Sequence, residues 1–177
     1  MNRITVLIFA CLLASPSLRA EKPATYTPQG VEVYFSPKGG GTEACVAAIA
    51  GAKKEILVQA YSFTSAPIAK ALVEAFKRGV AVSVVLDKSQ RTAKYSSADF
   101  LAHAGIATFI DTKHAIAHNK IMVIDRQIIL TGSFNFTKAA EESNAENLLV
   151  IRDPKLAARF MANWQEHKAH SVAYEGR

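Results

Sequence analysis

The sequence ILVQAYSFTSAPIAKALVEAFKRGVAVSVVL, residues 56–86, contains the pattern on which the fold class rests. Residues 56–62 predict a strand, and Pro67 opens a helix whose apolar residues recur at helical spacing. Gly79 ends that helix, and residues 80–86 are then almost continuously apolar. An apolar run directly after a helix is typical of a buried parallel strand. The stretch therefore predicts a right-handed βαβ unit and a layered α/β fold.

Strand and helix patterns continue on both sides of this unit. Further strands are predicted at 31–36, 106–110, 121–124, 127–130 and 147–151, and further helices at 42–53, 96–104, 137–142 and 154–170. The tight Asp125-Arg126 pair between two short strands predicts a hairpin. Together these elements predict an α/β fold with a mixed β-sheet and helices packed on both faces. We expect residues 31–177 to form a single domain that follows an extended lead-in at residues 21–30.

Residues 1–20 have the pattern of a secretory signal peptide. An apolar run at residues 4–14 is followed by small residues that give cleavage points after Ala20 or Ala24. The run is shorter than the ~20 apolar residues of a spanning helix, so we expect no stable membrane insertion after cleavage. An alternative is lipid attachment at Cys11, whose context weakly resembles a lipoprotein box. The mature protein is expected outside the cytoplasm, in the periplasm or secreted.

The composition describes a compact basic protein. The chain has 177 residues, of which 50% are hydrophobic and 20% charged, and this excludes a disordered or fibrous chain. It carries 21 basic and 15 acidic residues. Removal of the signal peptide takes away Arg3 and Arg19 and no acidic residue, so a net charge of +4 remains. A positive excess favours polyanionic partners, such as nucleic acid or anionic lipid headgroups, without choosing between them.

Polar residues capable of chemistry collect at the ends of two predicted strands. His118 and Lys120 are two residues apart, and so are Ser133 and Asn135. Residues at this spacing in extended chain point to the same face. If the two strands pair, an imidazole, an ammonium, a hydroxyl and an amide converge, and Gly132 lets the backbone approach closely. Such a set can bind a phosphate and supply a nucleophile for phosphoryl transfer.

These residues belong to a longer pattern with six fixed identities, H-x-K-x4-D-x6-G-S-x-N. It resembles the signature of the phospholipase D superfamily and is complete here as His118, Lys120, Asp125, Gly132, Ser133 and Asn135. Glu146 extends the resemblance, which covers about residues 31–170. Most relatives carry two copies of the motif. The single copy, the short chain and the signal peptide are most similar to the small bacterial endonucleases of that superfamily.

The resemblance implies a homodimer, because one motif copy supplies only half of the catalytic groups. Two identical motifs would meet across a two-fold axis. One His118 would attack the phosphodiester to form a phosphohistidine, and the other would protonate the leaving oxygen. Lys120 and Asn135 would bind the non-bridging oxygens, Ser133 would hydrogen-bond within the site, and Glu146 would orient His118 through its second ring nitrogen.

The remaining implications concern Asp125, cofactors and substrate. Asp125 belongs to the signature, although it is expected to organise the strand turn more than to touch substrate. Paired lysines and histidines provide the electrostatic stabilisation, so neither a divalent metal nor any cofactor is expected. The implied function is sequence-nonspecific hydrolysis of DNA, with RNA as a further substrate class, since no base-reading motif is evident.

Two other functions use the same residues differently. The first is a phospholipase D or cardiolipin hydrolase that acts on lipid headgroups. The second is a nucleic-acid-binding module that retains the motif without turnover. Short length disfavours the lipase, because little chain is left for an acyl-binding cleft. The intact motif disfavours the binding module.

Two further sets of residues are candidate sites. Asp111, His114 and His118 could form a zinc-binding face, but no further His or Cys pair completes it, so the sequence does not predict a zinc site there. Basic residues after the strand at 80–86 form a candidate phosphate-tracking patch. Its members are Lys88, Arg91 and Lys94.

Overall fold

The computed structural model describes residues 30–177, which form one eight-stranded mixed sheet and five α-helices. The strands are β1 Val31–Phe35, β2 Glu55–Ala60, β3 Ala81–Asp87, β4 Ala107–Asp111, β5 Lys120–Ile124, β6 Ile128–Gly132, β7 Asn147–Arg152 and β8 Val172–Tyr174. Their order across the sheet is β1-β7-β6-β5-β2-β3-β4-β8. Only the β2–β3 and β3–β4 pairs are parallel. The predicted mixed sheet is therefore confirmed, whereas the predicted signal peptide and its cleavage points lie outside the described residues.

The helices also follow the predicted order. They are α1 Gly41–Gly51, α2 Ala66–Lys77, α3 Ala98–His103, α4 Lys138–Glu142 and α5 Pro154–Ala169. Each predicted helix and strand in this part of the chain is present, with ends displaced by at most two residues. Two short elements were not predicted, a 3₁₀ helix at Lys88–Arg91 and the edge strand β8. Both are too short to show a diagnostic hydrophobic period.

The βαβ prediction is confirmed by the pairing of β2 with β3. The two strands are parallel over their whole length, from the pair Glu55–Ala81 to the pair Ala60–Leu86. Pro67 lies in the first turn of α2, where its missing N–H costs no helical hydrogen bond. Ile68 of that helix is fully buried against the sheet.

Alternate residues of the central strands face two separate hydrophobic cores. Val58 packs in the larger core with residues of α1 and α2. Leu57 packs in the smaller core with Ala157 and Trp164 of α5. The indole N–H of Trp164 donates to the Val58 carbonyl at 2.8 Å, which satisfies a buried polar group. Helices therefore cover both faces of the sheet, as expected.

The β5–β6 hairpin has the tight turn that the sequence predicts. Asp125 and Arg126 have φ values of 52° and 60°, and the N–H of Gln127 donates to the Ile124 carbonyl at 3.0 Å. Two central residues with positive φ define a type I′ turn, whose twist matches the flanking strands. This turn fixes the register that pairs Ile121 with Thr131 at the other end of the hairpin.

Several strand ends meet at one edge of the sheet, which we call the motif edge. β2, β3, β4 and β6 end there, and β5 and β7 begin there. Residues 112–119, which contain His118, join β4 to β5 along this edge. Among residues 30–177, no helix is long and apolar enough to cross a membrane.

Candidate active site

His118 and Lys120 are in direct contact at the motif edge. The Lys120 ammonium lies 3.0 Å from His118 Nδ1 and donates to the His118 carbonyl at 2.7 Å. The imidazole is exposed, whereas Lys120 is only 7% exposed. Nε2 is the ring nitrogen on the far side from the lysine, and it can attack a phosphate only in the tautomer whose proton is on Nδ1. In that tautomer the ammonium keeps the His118 carbonyl as its acceptor. The expected convergence of these two side chains is thus present within one chain.

Tyr61 is a neighbour of this pair that sequence reasoning missed. Its ring centroid lies 4.5 Å from that of His118, and the Lys120 ammonium lies 5.2 Å from it. The backbone N–H of Tyr61 donates to the Asn119 carbonyl at 2.8 Å. The phenol ring restricts the imidazole and contributes a cation–π contact to the lysine. The antiparallel pairing of β2 with β5 creates this contact, and no local pattern in the sequence predicts it.

Gly132 brings β6 unusually close to β7 beside Lys120. It has a φ of 149°, and a Cβ at this position would lie 2.2 Å from the Asn147 carbonyl oxygen. Glycine alone fits such an approach. Ser133 follows, and its hydroxyl accepts the Asn147 backbone N–H at 3.1 Å. The exposed Ser133 therefore joins the strand ends, in agreement with the expected hydrogen bond within the site.

Asn135 is held between two fully buried aromatic residues, Phe134 and Phe136. The Phe136 carbonyl accepts the N–H groups of Thr64 and Ser65 at 3.0 and 2.9 Å, which fixes the segment against the end of β2. Asn135 Oδ1 is buried and has no hydrogen-bond partner among the described residues. Asn135 Oδ1 is an acceptor, so a contact with a phosphate oxygen would have to come from the Nδ2 donor of the same amide.

The structure does not support the expected contact between Glu146 and His118. Glu146 Oε1 accepts a hydrogen bond from Asn144 Nδ2 at 3.1 Å, and among residues 30–177 it has none to His118. The Lys120 ammonium lies beside His118 Nδ1, the ring nitrogen that the Glu146 carboxylate was expected to contact. Glu146 instead acts on Lys120 through its charge. Burial of Lys120 lowers the pKa of its ammonium, and the negative charge of Glu146 opposes that shift.

Asp125 lies far from the other residues of the motif. It occupies the turn after β5, whereas Lys120 begins that strand, so about 17 Å of extended chain separates the two. Its carboxylate accepts the backbone N–H groups of Lys53, Lys54 and Glu55 at 2.8, 2.7 and 3.0 Å. The structure therefore does not bring Asp125 to His118 and Lys120, and its hydrogen bonds fit the expected role as an organiser of the turn.

Replacement of Asp125 by alanine is expected to lower the free energy of unfolding by about 2 kcal/mol, because three N–H groups lose a charged acceptor. Burial raises the pKa of Asp125, but the hydrogen bonds from Glu55, Lys53 and Lys54 outweigh it and lower the pKa overall. The contribution of Asp125 to the free energy of unfolding is therefore fully present above the pKa of aspartate in the unfolded chain. It is lost as the pH falls through the lower pKa that Asp125 has in the folded protein. Urea unfolding of the wild type and of Asp125→Ala, at neutral pH and below about pH 4, measures this contribution. The difference between their free energies of unfolding should be smaller in acid. Equal stability at neutral pH would show that the carboxylate does not hold the turn.

A basic turn lies beside His118 on the motif edge. Asp87 ends β3, and its Oδ2 accepts the N–H of Ala117 at 2.7 Å, one residue before His118. The 3₁₀ helix Lys88–Arg91 begins directly after Asp87. Arg91 and Lys94 are both exposed. The candidate phosphate-tracking patch is therefore on the same edge as the imidazole.

Comparison with known proteins agrees with the motif. A family model described as cardiolipin synthase, PLD-like domain, matches residues 45–168. The phospholipase D of Rickettsia typhi is 41% identical over 146 residues, which cover 82% of this chain and 72% of that protein. The chain belongs to the phospholipase D superfamily. It is an enzyme of that superfamily, whose members are phosphodiesterases.

Two further relatives mark the range of similarity within the phospholipase D superfamily. The crystal structure of Nuc from Salmonella typhimurium, a phospholipase D family member, superposes with a TM-score of 0.80 and 42% identity. The match covers 82% of this chain and 98% of Nuc. A mitochondrial cardiolipin hydrolase of Chlamydomonas reinhardtii is 32% identical over 118 residues, 67% of this chain and 53% of that protein. The α/β fold is that of Nuc.

Proposed function

We propose that this protein is a homodimeric endonuclease that hydrolyses DNA without sequence preference, outside the cytoplasm, in the periplasm or secreted. One observation carries the proposal. An exposed imidazole, His118, is held at Nδ1 by the buried Lys120 ammonium on an open sheet edge that also presents Asn135. This arrangement supplies a nucleophile and a positive charge for a phosphodiester, on a surface that a long polymer can reach.

The proposed dimer completes the site. Within one chain, the described residues place one histidine at the motif edge in contact with Lys120. Phosphoryl transfer with a leaving alkoxide also needs a proton donor. A two-fold axis beside His118 would bring the same residue of a second copy to the opposite side of the phosphate. The exposed position of His118 leaves room for that arrangement.

The proposed reaction has two steps. In the tautomer of His118 that carries its ring proton on Nδ1, Nε2 forms a bond to phosphorus as the bond between phosphorus and the leaving nucleoside oxygen breaks, and the histidine of the second copy gives that oxygen its proton. Water then attacks the phosphohistidine, gives a proton to the same second histidine, and releases His118. Lys120 and Asn135 of both copies would stabilise the non-bridging oxygens throughout.

Metal independence is part of the proposal and follows from the charges at the site. Two lysines and one protonated histidine would surround a phosphodiester that carries a single negative charge. These groups can stabilise the transition state in the way a divalent cation does in other nucleases. The lysine is buried, so its charge acts across a medium of lower dielectric constant than water.

DNA is preferred over lipid because of the basic turn beside the site. Arg91 and Lys94 are exposed on the motif edge, where they could track a phosphate backbone. A single lipid headgroup bound at His118 would engage fewer of these charges than a phosphate backbone that runs along the edge. Hydrolysis of a lipid headgroup is the second candidate, favoured by the similarity to the mitochondrial cardiolipin hydrolase.

The double substitution Arg91→Glu/Lys94→Glu tests this choice. We expect it to reduce plasmid cleavage by about 10- to 100-fold and to flatten the dependence of cleavage on salt, because phosphate contacts are lost. Hydrolysis of the small diester bis-p-nitrophenyl phosphate should be unchanged, since the reacting groups remain. Lys155→Glu/Arg159→Glu is the matched control, because both residues are exposed on α5 away from the motif edge.

The same proteins are assayed on vesicles of cardiolipin and of phosphatidylcholine. Vesicle hydrolysis without plasmid cleavage would overturn the proposal in favour of the lipid hydrolase. Equal plasmid cleavage by the two double variants would refute the role of the basic turn. DNA binding without turnover of any diester would establish a binding module.

A further inference from the structure

A second group of titratable residues lies on the motif edge, and the proposed reaction does not use it. We call this group the Asp111 cluster, and it consists of Asp111, His114, His167 and His170. Asp111 ends β4 and has no exposed side-chain surface. Asp111 Oδ2 lies 2.9 Å from His114 Nδ1, 2.8 Å from His167 Nδ1 and 3.3 Å from His170 Nε2. Three imidazoles from two distant segments thus converge on one buried carboxylate oxygen.

The spacing of these atoms is close to that of a tetrahedral metal site. Zinc bonds to imidazole nitrogen of about 2.0–2.1 Å give a tetrahedron with edges of about 3.3–3.4 Å. The three nitrogen–oxygen distances are 2.8–3.3 Å, and all four ligand atoms lie within 4.8 Å of one another. Small rotations of the rings would therefore place all four around one ion.

We propose that the Asp111 cluster is a zinc site formed by three imidazoles and one carboxylate. This donor set suits Zn²⁺, which prefers nitrogen and carboxylate ligands in tetrahedral geometry. Asp111 Oδ1 accepts the N–H of Lys113 at 3.0 Å, which orients the carboxylate as supporting hydrogen bonds do in metal sites.

The position of the cluster indicates a structural role. Asp111 ends β4 and Lys120 begins β5, and β3 and β2 lie between these strands in the sheet, so about 14 Å separates the two ends. An ion there would not touch a phosphate bound at His118. It would join the segment 112–119 to the end of α5. The Lys88 ammonium also holds this segment, because it donates a hydrogen bond to the His114 carbonyl at 3.1 Å. Zinc would therefore fix the segment that contains His118.

The Asp111 cluster differs in two respects from the zinc face considered from the sequence. His118 does not belong to the cluster, and residues 112–119 contain no helix that would place it beside His114. The missing pair is His167 and His170 at the end of α5. The signal was present as two short spacings, D-x2-H and H-x2-H, but 52 residues separate them.

Zinc binding is tested on purified protein from which a chelator has removed bound metal, after Zn²⁺ has been added back in excess and gel filtration has removed the unbound ion. We expect one Zn²⁺ per chain by elemental analysis, and a rise in Tm of about 5–10 °C with Zn²⁺ at ~100 times its Kd. Co²⁺ in place of Zn²⁺ should give the intense visible absorption of a tetrahedral complex. His167→Gln/His170→Gln should weaken Zn²⁺ binding by at least ~100-fold and abolish the rise in Tm.

Three controls make the result specific. His103→Gln removes a histidine outside the cluster and should bind Zn²⁺ as the wild type does. His118→Ala should also retain full binding, which separates this site from the proposed catalysis. If the double variant does not fold, His170→Gln alone replaces it as the test of zinc binding, because the His170 side chain is partly exposed. A wild type without bound Zn²⁺, or with binding that survives loss of His170, would overturn the proposal.

Discussion

His118→Ala is expected to abolish plasmid cleavage, with a loss of at least about 10⁴-fold in kcat. The substitution removes the nucleophile, and in the proposed dimer it also removes the proton donor, so neither half of the reaction can proceed. The imidazole is exposed and forms no part of either hydrophobic core, so the variant should fold normally. The measurement is the rate of plasmid cleavage by freshly purified wild type and variant at equal concentration.

DNA binding provides the control for this loss. Arg91 and Lys94 are unchanged in His118→Ala, so its affinity for DNA should stay within a few-fold of the wild type. His103→Ala, which removes a histidine at the end of α3, should cleave at the wild-type rate. Undiminished cleavage by His118→Ala would mean that the nucleophile is a different residue.

Lys120→Met should reduce kcat by about 10²- to 10³-fold with a smaller change in KM, because it removes a charge that acts on the transition state. Methionine keeps the length and apolar stem of the buried lysine, so packing at the start of β5 is preserved. Loss of the ammonium also releases His118 Nδ1 and the His118 carbonyl. Single-turnover cleavage with saturating enzyme measures the chemical step separately from binding.

Lys120→Arg is the informative companion. It keeps the charge but cannot place a compact ammonium between Nδ1 and the carbonyl, so it should recover only part of the rate. If Lys120→Met cleaves within a few-fold of the wild type, the contact with His118 is structural and the electrostatic account is wrong.

Much of the fold could be predicted from local sequence. The parallel β2–β3 pair follows from two apolar runs around one amphipathic helix, and the hairpin follows from the tight Asp125-Arg126 pair between two short strands. Strand β8 could not be predicted, because three residues carry no reliable period and only the free edge of β4 gives them a partner.

The site was predictable where chain neighbours form it. His118 and Lys120 meet because residues two apart in extended chain share a face. The contact of Glu146 could not be predicted, because it depends on the chain just before β7, where Asn144 donates to its carboxylate. Tyr61 was missed for the corresponding reason, since strand pairing brings it to His118 across 57 positions of sequence.

The Asp111 cluster shows the same limit more strongly. Each of its two spacings is unremarkable alone, because histidines near the end of a helix are common and an aspartate often ends a strand. Only the docking of α5 on the second face of the sheet brings His167 within 2.8 Å of Asp111. Pairings between distant segments are what a single sequence leaves undetermined.

Trapping the covalent intermediate tests the proposed mechanism most directly. Wild-type protein is mixed with internally ³²P-labelled DNA and quenched in base, where phosphohistidine survives, and the labelled peptide is identified by mass spectrometry. The account predicts a DNA adduct on the peptide that contains His118, formed at the rate of cleavage and absent from His118→Ala. Cleavage that proceeds without any protein-bound label, or with label on a different residue, would contradict it.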